Sequence, residues 1–63
     1  MCLSTVYANN EDAASILMSN VTRIEIKDNL VVLTDLLERK IEIDGVLLSV
    51  DLLQNKAVVK ERT

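Results

Sequence analysis

Apolar and polar residues alternate with period two along much of the chain. In Arg23-Ile24-Glu25-Ile26-Lys27 the isoleucines fall on one side and the charges on the other, and Lys40-Ile41-Glu42-Ile43-Asp44 repeats the scheme. After Gly45, the residues Val46, Leu48, Val50 and Leu52 take one side of an extended chain, with Ser49 and Asp51 on the other. Such alternation predicts half-buried strands. Leu30-Val31-Val32-Leu33 is apolar throughout, the pattern of a strand buried on both faces.

Turn-forming residues separate these runs: Asn9-Asn10-Glu11-Asp12, Lys27-Asp28-Asn29, Asp44-Gly45 and Gln54-Asn55-Lys56. Asn, Asp and Gly tolerate left-handed backbone that other residues resist. Asp44-Gly45 leaves no spare residues between two alternating runs, which predicts a two-residue type I′ hairpin. Asp28-Asn29 is expected to do the same before Leu30. Two stretches remain open on pattern alone. Ala13 to Met18 suits a helical turn as well as a strand, because Ala, Leu and Met favour helix. Leu30 to Glu38 also fits helical spacing, but its flanking turns and β-branched residues tip it towards strand. The expectation is an all-β chain, with residues 1–63 forming one domain. Five to seven short strands would make a small antiparallel β-barrel of the SH3-like or OB-like kind.

Size adds a constraint. The 63 residues are 49% apolar, too hydrophobic for a disordered tail, yet they include no Trp, no Phe and one Tyr. An aliphatic core this small stabilises weakly, and domains under ~70–80 residues commonly need disulfides, a metal or a partner subunit. A single cysteine makes no internal disulfide, so a homodimer is expected, with or without a shared metal.

Charge narrows the partners. Seven basic residues against ten acidic give a net charge of −3. The basic residues are scattered and aromatic stacking platforms are lacking, which argues against nucleic acid. No apolar run approaches the ~20 residues that span a bilayer, and no signal-peptide pattern opens the chain. A cytoplasmic location is expected.

Catalytic chemistry finds little support. The chain has no histidine, which removes Cys–His and Ser–His pairs, and a single glycine excludes a Gly-rich phosphate loop. Glu11, Asp12, Asp35, Glu38 and Asp51 lie beside turns or on predicted solvent faces, where carboxylates ordinarily serve as surface charge. Asp51, between Val50 and Leu52, is expected to cap the following turn or to enter a dimer contact. No enzymatic activity is expected.

Cys2 is the residue with chemistry to offer. Its ordinary role would be a small, half-buried thiol at the start of the first strand. Loss of Met1 would leave a free amine beside the thiolate, and the two would close a five-membered chelate ring on a metal. With Met1 retained, a deprotonated Cys2 amide nitrogen could close the same ring. One chelate is weak; two, brought together by a two-fold axis, make an N2S2 site. Planar nitrogen–sulfur fields suit Ni(II), whereas zinc prefers a tetrahedron and copper(II) tends to oxidise thiolates. The same proximity would permit a Cys2–Cys2 disulfide, which a reducing compartment disfavours.

The opening Met1-Cys2-Leu3-Ser4-Thr5-Val6-Tyr7 resembles that of the small CooT-like nickel-binding proteins. Thr34-Asp35-Leu36, Gly45 and Val50-Asp51-Leu52-Leu53-Gln54-Asn55-Lys56, followed by Ala57-Val58-Val59, are similar to that family's strand and turn pattern. The resemblance implies a homodimer of small barrels that binds Ni(II) at its interface through Cys2 of both chains and serves nickel delivery to an enzyme such as carbon monoxide dehydrogenase. Only Cys2 carries over as a ligand. HypC-like hydrogenase maturation chaperones also begin Met-Cys, but their pattern places a proline where this chain has Val6. Small RNA-binding barrels are a further alternative, which the charge balance does not favour.

Overall fold

In the computed structural model, which describes residues 3–9 and 12–62, the alternating segments become five strands. These are β1 (Ser4–Ala8), β2 (Ile16–Lys27), β3 (Leu30–Asp35), β4 (Lys40–Asp51) and β5 (Lys56–Glu61), with a short 3-10 turn at Ala13–Ser15. They close into a barrel in sequence order. Four seams are antiparallel; the closing seam, β1 against β5, is parallel, with Val6 beside Ala57 and Ala8 beside Val59. No helix among the described residues is long and apolar enough to cross a membrane.

Ile24, Ile41 and Ile43 turn to the core as their alternation predicts, whereas Ile26 is left exposed. Ile24 and Ile26 stand opposite Leu33 and Val31, and those two stand opposite Ile41 and Ile43 on the far side. The core is entirely aliphatic: Val6, Val21, Val31, Leu33, Ile43, Ala57 and Val59, with Leu17, Met18, Ile24, Ile41 and Leu47 packed around it. Strand β3 is buried along nearly its whole length, as its unbroken apolar run predicts. On its outer side Val32 lies between Glu25 and Glu42, and Thr34 between Arg23 and Lys40. Long charged side chains of that kind can lay their apolar stems over a central strand while keeping their heads in water.

The Asp28-Asn29 turn is a two-residue hairpin as expected, but with Asp28 alone at positive φ (53) it is not the type I′ turn, which needs both. Ala13 to Met18 divides between both expectations. Asp12 caps the 3-10 turn through the Ala14 amide, and extended chain begins at Ile16.

Two expectations about β4 need correction. Asp44-Gly45 is not a hairpin turn; β4 runs straight through it and Gly45 has no positive φ. Instead β4 changes partners there: Asp44 is its last residue opposite β3 and Gly45 its first opposite β5. The second correction concerns the single apolar face of Val46, Leu48, Val50 and Leu52. A register shift between Leu47 and Ser49 makes two residues of β4 stand against one of β5. Such a bulge reverses the alternation beyond it. Leu47 therefore faces Val59 and packs on the core, Val50 faces the core residue Ala57, and Val46 stands outside opposite Lys60.

Candidate functional site

Cys2, the ligand expected from sequence, lies outside the described residues. The description begins with half-buried Leu3, and β1 follows from Ser4. This start of β1 is held on both sides. Ser4 stands opposite Val21 of β2, Thr5 pairs with Lys56 of β5, and the Thr5 amide donates to the Asn55 carbonyl at 2.9 Å. The barrel rim at the start of β1 therefore includes the β4–β5 turn.

That turn is built by one carboxylate. Asp51 Oδ1 accepts from the amides of Leu53 and Gln54, both at 3.0 Å, and Asn55 takes φ 53 to re-enter β5. Asp51 thus caps its turn, one of the two roles its position suggested. Leu52 and Leu53 are left almost wholly in water.

The β3–β4 turn uses the same device with a buried carboxylate. Asp35 Oδ1 accepts from the amides of Leu37 and Arg39, both at 2.9 Å, and Oδ2 accepts from Arg39 Nε at 2.8 Å. Asp35 is only 3% exposed, so its reading as surface charge is overturned. Burial pushes its carboxyl upward, but the Arg39 amide and guanidinium and the Leu37 amide outweigh that and hold it below its ordinary 3.8. Glu38, at φ 64, closes the turn, and Leu36 and Leu37 are exposed. The signal for both turns was present in the sequence as a repeated Asp-Leu-Leu-x-x-Lys, at 35–40 and 51–56. Because the two copies are embedded in different strand patterns, neither reads as a repeat of a larger unit.

Beside Asp35, a surface cleft of about 510 Å³ is lined by Thr22, Arg23, Thr34, Glu38 and Lys40 among others. The Thr22 hydroxyl donates weakly to the carbonyls of Thr34 and Asp35, at 3.3 and 3.4 Å. The Thr34 hydroxyl is buried and has no hydrogen-bond partner among the described residues. An unmade bond of this kind costs about 1–3 kcal/mol, so Thr34→Val, which keeps the shape, is expected to raise unfolding stability by about 1 kcal/mol. A urea titration measures this; a clear loss of stability would mean that the hydroxyl is in fact satisfied.

Among the described residues no three His, Cys, Asp or Glu side chains gather as a metal-binding group. Asp12, Asp35 and Asp51 are spent on capping backbone amides. What the arrangement provides is a closed barrel in which the start of β1 lies beside the preformed β4–β5 turn. Its fold is that of a small closed β-barrel. The sequence matches the CooT family, described as CO dehydrogenase accessory protein CooT, over residues 1–60, and the chain belongs to that family. A crystal structure assigned as CooT from Carboxydothermus hydrogenoformans has the same fold, with a TM-score of 0.83, 11% identity, and coverage of 98% of this chain and 100% of that one. No curated protein matches the sequence. The family assists CO dehydrogenase, which agrees with the expected absence of an enzymatic role for this chain.

Proposed function

We propose that this protein is a Ni(II)-binding accessory protein for a nickel enzyme of the CO dehydrogenase kind, and that it holds one ion between two copies through their Cys2 thiolates. Nickel is the cargo. The observation that carries the reading is the family match, which spans residues 1–60 and so takes in Cys2. The donor inventory supports it: the chain has one cysteine and no histidine, so a second copy is the simplest source of a second soft ligand. The closed barrel contributes by holding the start of β1 between β2 and β5. In this reading the protein is a single cytoplasmic barrel that engages its client enzyme and neither nucleic acid nor membrane.

A nickel titration of the reduced protein, followed by ultraviolet–visible absorption with Cys2→Ser alongside, tests the proposal. The expected result is a thiolate-to-nickel charge-transfer band that saturates at one ion per two chains and is absent from the variant. A band of equal strength in Cys2→Ser, or none in either protein, removes Cys2 as the ligand.

A further inference from the structure

We propose that the cleft over Thr34 binds a small oxyanion, a carboxylate or phosphate group, between Arg23 and Lys40. The site makes no use of Cys2, so it holds whether or not the nickel reading does.

An irregularity in β2 assembles it. Val21 and Ile24 both turn to the core, a spacing of three that strict alternation does not allow. The register shift between Val21 and Arg23 supplies the extra residue. A bulge of this kind re-aims the side chains beside it. Thr22 and Arg23 are therefore exposed in succession, and Arg23 stands opposite Thr34 of β3. Lys40, the first residue of β4, stands opposite Thr34 from the other side.

Thr34 is the residue that points to a ligand. It is 7% exposed and lines the cleft, yet its hydroxyl has no hydrogen-bond partner among the described residues. Its neighbour does not supply one, because the Thr22 hydroxyl is directed at the carbonyls of Thr34 and Asp35. Arginine and lysine carry only donors, so the flanking pair offers the Thr34 proton no acceptor. The acceptor has to come from outside the chain. Val32, two residues earlier on the same outer side, makes the contrast: there two glutamates flank a valine, and nothing polar is left unmade.

The charges lining the cleft select an anion. Neither Arg23 nor Lys40 makes an ion pair among the described residues. Asp35 brings little free charge, since its oxygens are taken by the amides of Leu37 and Arg39 and by Arg39 Nε. Glu38 alone among the lining residues opposes an anion. A guanidinium, an ammonium and a hydroxyl can all donate to one oxyanion, and bonds to charged groups are the stronger kind. The volume of about 510 Å³ falls within the ~300–1,000 Å³ of small-molecule sites, which leaves room for more than a bare ion.

Titrations of the reduced, metal-free full chain with inorganic phosphate and with citrate test the proposal. They are run at constant ionic strength and followed by proton–nitrogen correlation spectra, with glycerol as the neutral probe. Saturable shifts are expected at the amides around Arg23 and from Thr34 to Lys40, with a Kd of roughly 1 mM or below, and none with glycerol. Phosphate alone saturating assigns a phosphate-bearing ligand, and citrate alone a carboxylate. Arg23→Gln and Lys40→Gln are each expected to weaken binding ~10-fold or more, as loss of a charged hydrogen bond does. Thr34→Val should weaken it ~3-fold or more, and Glu38→Gln, which removes the opposing charge, should tighten it. Because Thr34→Val is expected to be the more stable protein, its weaker binding cannot come from misfolding. No saturable shift with either anion, shifts scattered over the barrel, or binding unchanged in both Arg23→Gln and Thr34→Val overturns the proposal.

Discussion

Gly45→Val is expected to give no folded protein, and Gly45→Ala to cost at least ~3 kcal/mol, a large part of the ~5 kcal/mol that marginal domains hold. A Cβ built on Gly45 would sit 2.1 Å from the Lys60 carbonyl oxygen, 3.0 Å from its carbon and 3.1 Å from the Glu61 Cα. All three are main-chain atoms, so no rotamer change relieves the clash; β5 itself would have to move. It has little freedom to do so. Lys60 and Glu61 are paired to Val46 and Gly45, and the flanking bonds from the Arg62 amide to the Asp44 carbonyl and from the Gly45 amide to the Asn29 carbonyl hold the crossing from both sides. The position needs an absent side chain, not an unusual φ. Circular dichroism and urea unfolding of Gly45→Ala provide the measurement. A variant within ~1 kcal/mol of the parent would mean that the strands part more readily than this packing implies.

This glycine also shows where sequence reading met its limit. Asp-Gly between two alternating runs carries the local signal of a type I′ turn, and nothing within five residues distinguishes that from a strand whose glycine makes room for another backbone. The deciding contact, Lys60, lies fifteen positions away. The bulge at Leu47–Ser49 was hidden for the same reason: alternation from Val46 to Leu52 is unbroken in the sequence, and the extra residue exists only relative to β5. By contrast, Ile24, Ile41/Ile43 and the run from Leu30 were legible because each strand reports its own buried side locally. So were the turns at Asp28 and Asn55, where a left-handed residue is needed and the residue type announces it. Cys2, singled out by its chemistry, lies outside the described residues. The paired roles of Asp35 and Asp51 were half legible, since capping is local for both but the burial of Asp35 depends on strands that the turn does not contain.

That buried carboxylate should dominate the acid side of the stability profile. Asp35 Oδ1 and Oδ2 serve three donors, two of them main-chain amides of the turn. Asp35→Ala strands those amides in a tight turn, whereas Asp35→Asn keeps one acceptor oxygen and sets an amide group against the Arg39 guanidinium. The expected order of melting midpoints at pH 7 is therefore wild type, then Asn, then Ala. The pH dependence has a definite sign. Because the folded carboxyl titrates below its ordinary 3.8, the native state binds fewer protons than the unfolded chain in the interval between the two values. The stabilisation is fully present above 3.8 and is lost as pH falls through the lower folded value. Urea midpoints of wild type and Asp35→Asn, followed from pH 7 down to about pH 2.5, should accordingly converge only on the acid side. Parallel curves across that range would show that the carboxylate's charge contributes nothing. The turn would then be held by its hydrogen-bond geometry, with the Arg39 pair as an exposed contact of little weight.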